Sequence, residues 1–261
     1  MPMLTANGET IHYEKEGSGP VVVLIHGIGG SAAMWKEQIG ALKDRYTLVT
    51  FDCRGHGRSS ANGEVSVAAA QQDLKAVLDH LGVGVCHLVG LSMGGPIALG
   101  FIMQWPAMVR SLVLADSFAK PPEGSSDYVK ATREAIAYIS MQEFGTQYAA
   151  EHMSPMTPFS VQDEFAAVIA SMSPKAYVQT MQDALLGDFT AALPAVKVPC
   201  LVLVGEQDTP AMRSESEFLA AHIAGATLRT IPDACHLCNL DNAAAFNAAI
   251  SRFLDEQVRG G

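Results

Sequence analysis

Positive charge is scarce in this chain: 17 Lys and Arg stand against 27 Asp and Glu, giving a net charge of -10, and no Lys/Arg block concentrates what there is. Nucleic-acid backbones and anionic membrane surfaces are bound mainly through clustered cations, so neither is expected as a partner. Long apolar runs are also missing. The stretch Val21 to Ile25 is far short of the roughly 20 residues needed to cross a bilayer, and no charged n-region precedes it, which predicts a soluble protein without a secretion signal. Cysteine is sparse and odd in number. Of Cys53, Cys86, Cys200, Cys235 and Cys238, Cys86 and Cys200 lie inside apolar runs, so buried free thiols and a reducing cytoplasm are the expectation. There is no Gly-x-Gly-x-x-Gly and no Walker lysine after a strand, which excludes a nucleotide cofactor. Cys235 and Cys238 flank His236, but no second Cys/His pair completes the four ligands of a structural zinc, so no metal is expected.

What the chain does have is alternation. Short apolar runs at Val21 to His26, Leu48 to Phe51, Cys86 to Val89, Ser111 to Leu114, Pro199 to Val204 and Thr227 to Ile231 are separated by segments of helical period. That pattern predicts a mostly parallel sheet covered by helices. Val67, Ala70, Leu74, Val77, Leu78 and Leu81 recur at helix-face spacing behind an N-cap at Ser66. Phe246, Ala249, Ile250, Phe253 and Leu254 do the same behind Asp241 and Asn242, predicting a closing helix. The stretch from about 120 to 194 breaks the rhythm. It has no strand-like run, five methionines (Met141, Met153, Met156, Met172, Met181) and helical segments separated by prolines. It reads as a helical insertion in a core made of 1–119 and 195–261, with Met141, Phe144, Tyr148, Met153 and Phe159 expected to give an apolar roof over a pocket.

The chemistry-bearing segment is Gly90-Leu91-Ser92-Met93-Gly94, with the apolar run from His87 before it and a helical pattern of Ile97, Ala98, Phe101 and Ile102 after it. A serine at a strand-to-helix turn projects its hydroxyl from the sheet edge, and Gly90 and Gly94 are the positions where a side chain would clash as the chain reverses. The helix N-terminus favours an anion at the same spot. A serine needs a base and an orienting acid. His236 follows the last strand-like run, Asp208 follows the one before it, and the chain order is Ser, Asp, His. Asp116, after Leu112-Val113-Leu114, is the rival acid, while Asp208-Thr209-Pro210 also suits a plain helix cap. The loop His26-Gly27-Ile28-Gly29-Gly30 is expected to supply the Ile28 N–H to an oxyanion hole shared with the Met93 N–H, and His26 to brace that loop.

These motifs, together with the Gly-rich turn Asp52-Cys53-Arg54-Gly55-His56-Gly57-Arg58-Ser59, resemble the α/β-hydrolase fold family over essentially the whole chain. The resemblance implies an α/β fold, a mostly parallel central sheet flanked by helices with a helical cap insertion, and structural rather than catalytic roles for Asp52, Arg54 and His56. Gly90 to Gly95 and His-x-x-Asn at His236 to Asn239 look most like 3-oxoadipate enol-lactonases and related small esterases. Ring-cleavage C–C hydrolases are similar, but usually carry Asn before the nucleophile and Trp after the histidine, where this chain has Leu91 and Leu237. The implied activity is serine hydrolysis of a small ester or lactone, with C–C hydrolysis or a hydrolase-like small-molecule sensor as alternatives. A dicarboxylate substrate would need a cation, and the insertion offers only Lys130, Arg133 and Lys175, with Lys120 at its edge.

Overall fold

The computed structural model describes residues 2–259 of the 261. Its eight strands are β1 (Met3–Ala6), β2 (Glu9–Gly17), β3 (Val21–Ile25), β4 (Thr47–Phe51), β5 (Cys86–Leu91), β6 (Val109–Ala115), β7 (Cys200–Gly205) and β8 (Thr227–Ile231), arranged in one sheet in the order β1-β2-β4-β3-β5-β6-β7-β8. From β4 to β8 all neighbours are parallel. Every residue of β4, β5 and β7 is buried, which requires cover on both faces of the sheet.

The helices are α1 (Lys36–Leu42), α2 (Val67–His80), α3 (Gly94–Gln104), α4 (Ser125–Ile136), α5 (Met141–His152), α6 (Phe159–Ser171), α7 (Pro174–Leu186), α8 (Pro210–His222), α9 (Cys238–Asp241) and α10 (Ala243–Arg259). Against the sheet, α1 packs with α10 and α2 with α3, while α8 covers β7 and β8. The expected caps form: Ser66 accepts from Ala69 N–H at 3.2 Å, and Asn242 accepts from Ala245 N–H at 3.1 Å.

The six strand-like runs all become strands. The pair β1 and β2 is additional, an antiparallel hairpin that turns at Asn7 (φ 52°) and Gly8 (φ 79°). An Asn-Gly dipeptide between two extended segments is a strong hairpin signal, and it stands at Asn7-Gly8. The segment expected to be an insertion holds α4 to α7, in which α5 packs on α6 and α4 on α7.

Parallel pairing decides where the chemistry falls. Strands β3 and β5 are neighbours with Ile25 opposite Gly90, so the loops beginning at His26 and at Ser92 leave the sheet side by side. Crevices at strand C-termini, where the chain order reverses, are where ligands bind in open α/β sheets.

Candidate active site

Ser92 sits between β5 and α3 with φ of 53°, a left-handed backbone that a non-glycine residue adopts only when its surroundings over-determine it. They do so here. Its N–H donates to Ala115 O at 2.9 Å, and its carbonyl accepts from Gly95 N–H at 2.9 Å and from the Ser117 hydroxyl at 2.8 Å. The tight turn also explains the two glycines. A Cβ on Gly90 would lie 2.3 Å from Gly94 O, and one on Gly94 would lie 2.2 Å from Ile25 O. Both obstacles are backbone and cannot rotate away.

Gly94→Ala is therefore expected to destabilise the fold by about 3 kcal/mol. Gly40→Ala, at an exposed position of α1 with nothing within 4 Å of the new Cβ, is expected to be neutral or slightly stabilising, by up to about 1 kcal/mol. Urea unfolding of the two variants checks the contrast.

Three side chains from distant parts of the chain meet at this turn. His236 Nε2 lies 2.9 Å from Ser92 Oγ and Nδ1 lies 3.0 Å from Asp208 Oδ2; all three residues are buried. The second oxygen of Asp208 accepts from Thr209 N–H at 2.7 Å. The cap of α8 is Thr209, whose hydroxyl accepts from Met212 N–H at 3.2 Å, so the carboxylate of Asp208 is left for the histidine. The His236 backbone N–H donates to His152 O on α5 at 3.1 Å, which ties the loop to the helical segment above it.

Burial alone would press the His236 imidazole down, but the charge and hydrogen bond of Asp208 outweigh it and carry its pKa to about 9. Burial likewise favours the neutral acid at Asp208, yet the His236 charge and hydrogen bond hold that carboxyl below its ordinary value. Asp116 is brought to the same place but does not contact the imidazole through a hydrogen bond; its Oδ1 accepts from Gly205 N–H at 2.6 Å.

Ile28, in the loop after β3, lines the same cavity as Ser92, and Met93 is the residue after the serine in the elbow. Neither N–H donates to a backbone carbonyl in the turns and loops of the described residues. His26 braces the loop as expected: Nδ1–H donates to Gly27 O at 2.7 Å while Nε2 accepts from Cys53 N–H at 2.9 Å. Burial holds its imidazole below its ordinary pKa, in the neutral form that this pattern of one donor and one acceptor requires. Asp52 accepts from Ala32 N–H at 2.7 Å and Arg58 N–H at 2.9 Å, pinning two loops together, and Arg54 makes a bidentate pair with Asp73 at 2.7 Å on each arm. These are scaffold contacts.

Above Ser92 lies a cavity of about 250 Å³. Its roof differs from the expected one. Of the five residues named for it, only Tyr148 lines the space, joined by Tyr128, His152, Tyr177, Met181 and Leu185. Phe144 and Met153 are buried in the contacts that hold α5 to its neighbours, with Phe144 edge-on to Tyr177 at 5.0 Å, and Phe159 is 83% exposed. On α5, Phe144 is thus turned to Tyr177 of α7, while Tyr148 stacks on Phe165 of α6 at 6.0 Å and still reaches the cavity. No Lys or Arg lines the cavity among the described residues. Lys130, Arg133 and Lys175 are exposed, and Lys120 reaches Glu215 at 3.8 Å and lies 4.0 Å over the Phe218 ring. His152 adds no charge either, since burial and then the His236 charge push its pKa down to about 4.

A strained serine elbow, an imidazole within hydrogen-bond reach of the hydroxyl and an acid behind it together form an arrangement suited to acyl transfer. The model of the alpha/beta hydrolase family matches residues 22–249. The chain belongs to the alpha/beta hydrolase family. Among relatives of this hydrolase, the RutD protein of Variovorax paradoxus, named for carbamate hydrolysis, is 32% identical over 94% of this chain and 96% of its own length. The 3-oxoadipate enol-lactonase 2 of Acinetobacter baylyi is 27% identical over 95% and 94% respectively. A thermophilic esterase from Thermogutta terrifontis, solved with malate bound, superposes with a TM-score of 0.87 at 27% identity, covering 98% of this chain and 97% of its own. Among the described residues of the hydrolase, no helix is long and apolar enough to cross a membrane.

Proposed function

We propose that this hydrolase cleaves small, compact carboxylic esters or lactones by an acyl-enzyme route. The observation that carries the reading is the unbroken hydrogen-bond chain Ser92–His236–Asp208 at the floor of a largely apolar cavity. Ser92 Oγ attacks the acyl carbon as His236 Nε2 takes its proton, and Asp208 fixes the Nδ1–H tautomer and stabilises the imidazolium. The Ile28 and Met93 amides hold the tetrahedral oxyanion. Collapse expels the alcohol with the proton from His236, and water activated by the same imidazole then releases the acid. In this reading the segment 120–194 is a cap over the site, and its tyrosines set the size of the acyl or alcohol group that fits.

The lining speaks to substrate charge. A carboxylate carried into this cavity would meet no Lys or Arg, and an unpaired buried charge is costly. Neutral esters and lactones are favoured over the enol-lactone of 3-oxoadipate. A carbamate is the second reading, favoured by the similarity to the RutD protein and by the same acyl chemistry. The test is kcat/KM on a short ester, a butyrolactone-type ring, a carbamate, the enol-lactone and a ring-cleavage dienoate. The ester or ring is expected to lead; dominance of the dienoate by about tenfold or more would move the activity to C–C hydrolysis. Many turnovers are expected on the best substrate, whereas a sensor would stall after roughly one equivalent of product.

The base must be neutral to act, and its pKa is raised to about 9. Activity on the short ester is therefore expected to rise with pH through an ascending limb lying well above the ordinary histidine value. A limb at or below that ordinary value would show that the Asp208 charge does not dominate.

A further inference from the structure

Asp116 is the one fully buried carboxyl near the site that the mechanism above leaves unused. It is the first residue beyond β6, with φ of 44°, a left-handed backbone that turns its side chain in beneath the Asp208 loop. Its N–H donates to Leu203 O at 2.9 Å, and Oδ1 accepts from Gly205 N–H at 2.6 Å, the last residue of β7 and three positions before Asp208. Oδ2 receives no N–H or O–H donor among the described residues. The groups facing the carboxyl are the Asp208 carboxylate, the His236 imidazole and the Cys238 thiol, and the side chains of Asp116 and Asp208 lie within hydrogen-bonding reach. No Lys or Arg is among them. The Cys238 thiol is a weak donor to this carboxyl, and two buried carboxyls within hydrogen-bonding reach of each other, with no cationic side chain beside them but the imidazole, are relieved when one of them carries a proton.

We propose that Asp116 is a neutral carboxylic acid that donates its proton to Asp208, making it a positioning residue that holds the Asp208 carboxylate against His236. The proposal rests on the Ser92–His236–Asp208 reading. In this arrangement two carboxyls share one proton and one negative charge. Asp208 then has a donor from each side: His236 Nδ1–H, Thr209 N–H and the Asp116 hydroxyl. Burial and then the Asp208 charge push Asp116 well above the usual carboxylate range, while Asp208 is held below it. That split is what like charges at close quarters enforce.

The functional consequence is a limit on basicity. A charge on Asp116 would add to those of Asp208 and Asp241 in raising the His236 imidazole, and so would move the onset of its base form to higher pH. Keeping Asp116 neutral preserves the orienting contact without the extra charge.

Asp116→Asn and Asp116→Leu separate the possibilities. Asn keeps an acceptor for Gly205 N–H and a donor for Asp208; Leu keeps neither. With 4-nitrophenyl acetate, the Asn variant is expected to exceed the Leu variant by about tenfold in kcat with KM little changed, and its ascending pH limb to stay within about 0.3 units of wild type. Removing an ionised carboxylate instead would lower that limb by about one unit or more, and this result would overturn the proposal, as would equal activity of the Asn and Leu variants. Infrared spectroscopy of the full-length protein supplies a reading independent of activity. A protonated, buried carboxyl band that shifts on 13C-aspartate labelling and disappears in Asp116→Asn is expected, and its absence from wild type would equally overturn the proposal. Failure of the underlying reading is distinguishable, because a serine-directed phosphonate would then label wild type at a residue other than Ser92.

Discussion

Replacing Ser92 by Ala is expected to lower kcat on the best ester by roughly 10³-fold or more and to abolish covalent labelling by a serine-directed phosphonate, with the fold intact. The size of the effect follows from the geometry: the Ser92 hydroxyl lies 2.9 Å from the His236 Nε2, and Ser125, the other serine lining the cavity, makes no hydrogen bond to that imidazole among the described residues. Stability should hold because the Ala methyl occupies the space of the existing Cβ. The strained φ of 53° is fixed by the Ala115 carbonyl and by the Gly95 and Ser117 donors, all of which act on the backbone of residue 92. Intact-mass spectrometry after phosphonate treatment, with thermal unfolding as the control, checks both halves. Labelling of the Ala variant at another serine would remove Ser92 from the role.

Asp208→Asn is expected to cost at least about 10²-fold more activity than Asp116→Asn. The two acids lie in one buried cluster, and the difference between them is directional. Asp208 Oδ2 receives the His236 Nδ1 hydrogen bond at 3.0 Å, so an amide there either turns its NH₂ toward Nδ1 and favours the wrong tautomer, or turns its carbonyl toward Nδ1 and sets its NH₂ against the Thr209 N–H. In either orientation the negative charge that stabilises the imidazolium is gone. Because the Asp208 charge is also what raises the His236 pKa against burial, the residual activity of Asp208→Asn should show an ascending pH limb moved downward, toward or below the ordinary histidine value. Asp116 makes its hydrogen bonds to Gly205 N–H and toward Asp208, and an amide can repeat those. Equal or reversed losses in kcat/KM would transfer the orienting role to Asp116.

The two parts of the site also explain how a relative named for carbamates and another named as an enol-lactonase can share this scaffold. In the proposed reading, Ser92, His236 and the Ile28 and Met93 amides are held by loops that leave the C-terminal edge of the sheet. The cavity wall comes from α4, α5 and α7 and the start of α8, whose side chains are free to differ without disturbing strand pairing.

The local sequence determined everything in this protein that depends on a few neighbouring residues. Gly90 and Gly94 around Ser92 specify the elbow because a Cβ at either would strike backbone within the same turn or on the adjacent strand. Ser66 and Asn242 announce helix starts through bonds only three residues long, and uninterrupted apolar runs announce strands covered on both faces. Strand-end placement together with chain order was enough to nominate Asp208 and His236. The β1–β2 hairpin was not among the expected strands, although the Asn7-Gly8 dipeptide carries its signal. What the tertiary structure decided depends on partners far along the chain. The His236 to Ser92 hydrogen bond spans 144 residues and the Asp116 to Gly205 bond spans 89, so neither distance nor protonation follows from spacing. The helical segment 120–194 shows the same division: composition indicates apolar helices, but α5 can turn its aromatic side chains toward the cavity or toward its neighbouring helices. Phe144 is buried edge-on to Tyr177 of α7, and Tyr128, Tyr148, His152 and Tyr177 line the cavity, because contacts between different helices, which spacing within one helix does not specify, decide which side chains turn inward.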